Sequence, residues 1–157
     1  MKKIVLFLVA AALAACSTDP EVRTLEDPSP DQQLLKSGSG LSFSLLEDTF
    51  AESPALIKTV LTNEGTRDFG YGDYYYIEVK KENEWYTVAH SDAVFLKNPQ
   101  LKDFGRRLTA GSASAQDFSI EALGITLLPG EYRLVKTFLS LDEPFFEISL
   151  AAPFTVE

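Results

Sequence analysis

One cysteine, one histidine, one tryptophan and one methionine in 157 residues leave few ways to build a reactive centre. A Ser-His-Asp triad would need His90 as its base beside a serine on a sharp elbow, and no Gly-x-Ser-x-Gly occurs. A zinc centre needs three or four His, Cys or carboxylate ligands at workable spacing, which a lone His90 and a lone Cys16 do not supply. His90, just ahead of Ser91-Asp92, therefore reads as a solvated loop residue. Phe69-Gly70-Tyr71-Gly72 is not followed by a helical pattern, so its Gly-x-Gly is strand punctuation and not a phosphate loop. Basic residues are scarce, 14 against 23 acidic, for a formal net charge of −9. Such a surface repels nucleic acid and anionic headgroups. The chain is expected to carry no cofactor or metal and not to be an enzyme.

A membrane-spanning run is missing too. Ile4 to Ala12, continued by Leu13-Ala14-Ala15, is too short to cross a bilayer, which takes about 20 residues of helix. With Lys2 and Lys3 ahead of it, the stretch has the basic start, short apolar middle and small-residue end of a secretory signal. Leu13-Ala14-Ala15-Cys16 resembles the lipobox of bacterial lipoproteins. That resemblance implies a signal peptide over residues 1–15, a lipidated Cys16 as the mature N-terminus, and a lipid-anchored protein facing away from the cytoplasm. The membrane would be the cell membrane or an outer membrane. Two or three acyl chains, at about 0.8 kcal/mol per buried CH₂, anchor durably where one is marginal. Taking Lys2 and Lys3 from the 14 basic residues leaves 12 against 23 acidic, a formal charge of −11.

Residues 16–36 then read as the lipidated cysteine and a flexible tether, with the linker's composition running on to Gly40. Pro20, Pro28 and Pro30, five acids and the closing Ser37-Gly38-Ser39-Gly40 argue for a disordered or extended linker.

From Leu41 the pattern alternates. Leu41, Phe43 and Leu45 share a face, Leu56 to Thr62 forms a second run, and Phe69 to Lys80 places Tyr75, Ile77 and Val79 inward. Glu82-Asn83 turns the chain into Trp85 to Val88, a predicted hairpin. Phe118 and Ile120, then Tyr132, Leu134 and Phe138, then Phe146 to Val156 complete the set. Short strands with frequent turn signals, and no helical period, predict an all-β fold. The expected architecture is one antiparallel sandwich of about seven to nine strands over residues 37–157. At Leu128-Pro129-Gly130-Glu131-Tyr132 the tyrosine can return its hydroxyl to the upstream backbone as a tyrosine corner, or simply fill the core beside a Pro-Gly turn. Either way Tyr132 is structural.

The order Asn63-Glu64-Gly65, Tyr71-Gly72-Asp73, Glu84-Trp85-Tyr86-Thr87-Val88, the Pro129-Gly130 turn and the closing Ala151-Ala152-Pro153-Phe154 resembles a bacterial immunoglobulin-like domain found in small surface lipoproteins. The resemblance implies an immunoglobulin-like sandwich and transfers no catalytic residue. It points to a non-enzymatic binding or accessory module at the cell envelope. The same turn and strand order are also similar to the bacterial intracellular-proteinase-inhibitor family, which makes a surface-exposed inhibitor the alternative.

Tyr71, Tyr74, Tyr75, Tyr76, Trp85 and Tyr86 crowd one predicted hairpin. With Tyr75 inward, Tyr74 and Tyr76 face out, so Tyr74, Tyr76 and Trp85 form the candidate surface for a protein or glycan partner. Cross-strand aromatic pairing that only stabilises the sheet is the plainer reading. Asn63, Glu64, Asp68 and Asp73 offer hard oxygens without the spacing of a calcium loop, and read as turn residues. Arg106-Arg107 reads as an edge-strand charge pair, or as a contact for an acidic partner.

Overall fold

The computed structural model describes residues 21–90 and 105–157. The expected signal at 1–15 and Cys16 lie outside the described residues. Two sheets face each other. The first contains β1 (Ser37–Gly38), β2 (Leu41–Leu45), β4 (Leu56–Asn63) and β9 (Ala113–Ser119), in the order β1-β2-β4-β9. The second runs β3 (Thr49–Phe50), β11 (Glu147–Val156), β10 (Gly130–Ser140). β10 then pairs both β5 (Phe69–Tyr71), which leads to β8 (Arg106–Leu108), and β6 (Tyr76–Lys81), which leads to β7 (Glu84–Thr87).

The predicted all-β sandwich is present. Eleven strands occur among the described residues, where seven to nine are expected, because β1 and β3 are two-residue pairings and the Phe69–Lys80 run divides. One pairing, β3 with β11, is parallel. The division follows from β10: Leu139 and Ser140 pair with β5, Tyr132 to Val135 pair with β6, and residues 72–75 leave the ladder between them.

Alternation sorts the side chains. On β4, Ile57 and Leu61 are buried; on β10, Tyr132, Leu134 and Phe138; on β6, Ile77 and Val79. Phe43 meets Phe118 edge-on within the first sheet, and Tyr75, just ahead of β6, meets the same Phe118 ring with centroids 4.8 Å apart, joining the sheets. Each such side chain contributes roughly 1.5–3 kcal/mol by leaving water. Glu82 and Asn83 both hold positive φ, 51° and 71°, as the tight turn of the β6–β7 hairpin requires. Tyr132 does form the tyrosine corner: its Oη donates to the Leu128 carbonyl at 2.6 Å while the ring stacks on Phe154.

Residues 21–36 differ from the expected flexible tether. They form a strap across the outer face of the second sheet. Thr24 bridges to Val88, Leu25 N donates to Thr87 O, and Ser29 N donates to Trp85 O at 2.8 Å. Farther on, the Leu35 carbonyl accepts from Ala151 N on β11, and the chain enters β1. The strap's composition is that of a linker, but its backbone finds partners along the open edge of β7, which supplies N–H and C=O groups for any extended segment.

Candidate functional site

The outer face of β6, β7 and β10 carries Tyr76 and Trp85, with Tyr74 just before β6, and the strap lies on this face; Tyr71 and Tyr75 belong to the core and Tyr86 packs against it. Glu78 and Arg133 oppose each other across β6 and β10 and form an ion pair, although alternation points both away from the core. They are only 1% and 3% exposed. Burial of a charge demands partners, and each nitrogen of Arg133 has one. Its Nε donates to Glu78, Nη2 donates to the Asp31 carbonyl at 2.6 Å, and Nη1 donates to the Gln32 carbonyl at 3.3 Å. The Trp85 ring covers the guanidinium at 4.6 Å. Gln32 closes the arrangement: its Nε2 donates to the Trp85 and Ser29 carbonyls, and its Oε1 accepts from Trp85 N at 2.7 Å. Trp85 is thus committed to holding the strap.

Tyr74 and Tyr76 do share a surface, with ring centroids 6.1 Å apart. Tyr74 is 45% exposed and Tyr76 is half-buried. Burial pushes the Tyr76 hydroxyl up to about 12, with the Glu78 charge adding to the effect. Burial likewise raises Tyr75, whose Oη donates to Ser119 O, to about 12. The face therefore divides. Trp85 lies under the strap's control, and Tyr74 is the member that presents itself to solvent.

Behind Tyr74 sits a charged side chain that sequence reasoning passes over. Lys136 follows the inward alternation of Leu134 and Phe138 on β10 and is 1% exposed. Its Nζ donates to the Gly72 carbonyl and, at 3.1 Å, to the Tyr74 carbonyl. It lies 5.2 Å from the Phe118 ring centre and 5.5 Å from that of Tyr71. Burial lowers its pKa to about 8. The ammonium takes the carbonyls that residues 72–75 turn away from the ladder, so it fixes the backbone that carries Tyr74. The signal available in the sequence is a lysine at an inward position of a strand otherwise reading Tyr132, Leu134, Phe138.

The remaining candidates do not converge. Asp68 and Asp73 are engaged by Arg107 at 2.6 Å and Arg106 at 2.9 Å. Asn63 is buried, its Nδ2 donating to Arg67 O and Leu108 O and its Oδ1 accepting from Gly65 N, so it shapes its turn. Among the described residues no three His, Cys, Asp or Glu side chains gather around a point. Arg106 and Arg107 lie on β8, an edge of the second sheet, each in an ion pair. His90 is half-buried and lines a cleft with Val22, Leu25, Leu123 and Ile125. Cys16 is outside the described residues.

Comparison with known families matches residues 37–155 to the family described as Bacterial Ig-like domain. No curated protein matches the chain.

Proposed function

We propose that this chain, which belongs to the bacterial Ig-like domain family, is a non-enzymatic binding or accessory module held at the cell envelope by lipid on Cys16. The observation that carries the location is the motif Leu13-Ala14-Ala15-Cys16 at the end of a short apolar segment, with an Ig-like sandwich after it. The protein would face away from the cytoplasm, on the cell membrane or an outer membrane. Its partner would be a protein or glycan at the surface, met by Tyr74 with Tyr76 beside it. An amphipathic ring at 45% exposure offers large contact area and one polar handle. Trp85 contributes by fixing the strap that borders this face.

The anchor is tested by feeding cells an alkyne fatty acid and comparing wild type with Cys16→Ala. Label and membrane fractionation are both expected to vanish in the variant; unchanged fractionation rejects the anchor. The surface is tested by capture from envelope extract with the immobilised chain against Tyr74→Ala. A partner kept equally by both moves the site to another part of the sandwich.

A further inference from the structure

The strap shortens the leash. If residues 17–36 were a free linker, the sandwich could turn in any direction above a membrane. Instead the chain is already bound to the fold at its first described residues. Lys81 Nζ donates to the Glu21 carboxylate and to the Val22 carbonyl, both at 3.2 Å, and Val22 packs against the core. Ala89 N donates to Arg23 O at 2.9 Å. From Cys16 to Glu21 there are five Cα steps, which span at most about 18 Å fully extended.

Glu21 also has a definite place on the sandwich. It and Val22 lie beside Lys81, Glu82, Leu128, Pro129 and Gly130, the corner where β6 turns into β7 and β10 begins. β10 runs from that corner to Ser140, so the loop after it, residues 141–146, lies at the opposite end. At ~3.3 Å per residue, the eight steps from Tyr132 to Ser140 alone cover about 26 Å. This exceeds the whole reach of the leash. Arg133 secures the strap between the two ends through Asp31 and Gln32.

We infer that the corner formed by the Glu82-Asn83 turn and the Leu128-Pro129-Gly130 turn is a bilayer-facing surface, and that the 141–146 loop points away from the membrane. The partner of the corner is the lipid surface itself. This rests on the reading of Cys16 as the anchor, and the experiment separates the two. Cys16 is the only cysteine, so the purified chain is coupled through it to a maleimide phospholipid in zwitterionic vesicles. That supplies the anchor chemically, whether or not cells attach one. A clickable amino acid is placed at Asn83 or at Glu143 and carries a donor dye, with an acceptor in the lipid headgroups.

Energy transfer is expected to be several-fold stronger from position 83 than from 143. A flexible Gly-Ser insertion between Thr18 and Asp19 lengthens the leash without touching the fold and should shrink the contrast. Equal transfer from both positions, stronger transfer from 143, or a contrast indifferent to the insertion overturns the inference. A wild-type chain that takes up no fatty-acid label in cells would overturn the anchor alone.

Discussion

The Arg133 guanidinium lies 4.6 Å from the centre of the Trp85 ring, and together they bind the strap to the sheet. A cation on an indole face, desolvated on both sides, contributes about 2 kcal/mol. The more consequential fact is what the arginine neutralises, since Glu78 beside it is 1% exposed.

Replacing Arg133 by Ala leaves the Glu78 carboxylate buried without its charge partner, and stability is expected to fall by about 3–5 kcal/mol in urea unfolding. Trp85→Ala removes the cover and leaves the pair, and should lose less. In a variant that remains folded, the amides of Leu25 and Ser29 should lose protection from hydrogen exchange while those of β10 retain it. Undiminished protection at Ser29 would show that the arginine is not what holds the strap.

Lys136 makes stability depend on alkaline pH. Its pKa in the fold is about 8 against an ordinary 10.5. Between those values the unfolded chain binds the extra proton, so unfolding becomes harder as pH rises, by on the order of 3 kcal/mol across the window. Tyr75 and Tyr76, raised to about 12, act in the opposite sense above pH 10, where the unfolded phenols ionise first. Urea midpoints should therefore climb from pH 7 to 9.5 and decline beyond 10. Lys136→Met should abolish the climb and keep the decline.

Tyr132→Phe removes one hydroxyl and strands the Leu128 carbonyl it serves at 2.6 Å. A loss of about 1–3 kcal/mol is expected, with the Phe154 stacking intact. Thermal unfolding of the variant measures it; an unchanged midpoint would mean that water replaces the bond.

Gly40 and Gly111 both have positive φ, 84° and 71°, yet differ in surroundings. A Cβ on Gly40 would stand 2.6 Å from the Gly65 Cα, whereas one on Gly111 meets nothing within 4 Å. Gly111→Ala should lose only the left-handed penalty of about 1–2 kcal/mol. Gly40→Ala must also displace the turn at Gly65 and should lose clearly more in parallel unfolding curves.

The sandwich was legible because its strands alternate: Leu41 and Phe43, Ile57 and Leu61, Ile77 and Val79 go where a period of two sends them. The Glu82-Asn83 turn was readable through Asn83, a residue type that accepts positive φ, while Glu82 holds one without favouring it. The strap was not, because its hold lies in backbone carbonyls, at Asp31 and Gln32, whose donor is a hundred residues distant in sequence. Glu78 and Arg133 occupy outward positions, so alternation assigns them to water, and only the strap above them reverses that. The break at residues 72–75 was hidden for a related reason: Tyr74, Tyr75 and Tyr76 suit a strand, and Lys136 makes the departure affordable. Of the aromatic surface, the outward pairing of Tyr74 and Tyr76 was readable, while the engagement of Trp85 required the fold.

The strap also gives the molecule a direction in which it yields. Tension arriving at Glu21 is borne first by Lys81 and the Ala89 amide, next by the Thr24–Val88 bridge and the Leu25 and Ser29 amides, and then by Arg133. These fasteners lie in series along residues 21–36, outside the ladder of β10 with β11. If they open one after another, the strap, at most roughly 50 Å when fully extended, lengthens the chain by that reach less the distance it already spans, while the two sheets stay closed. A pull on residues 21–36 would then be absorbed as extension, and the sandwich at the far end would stay folded through loads that strip its strap.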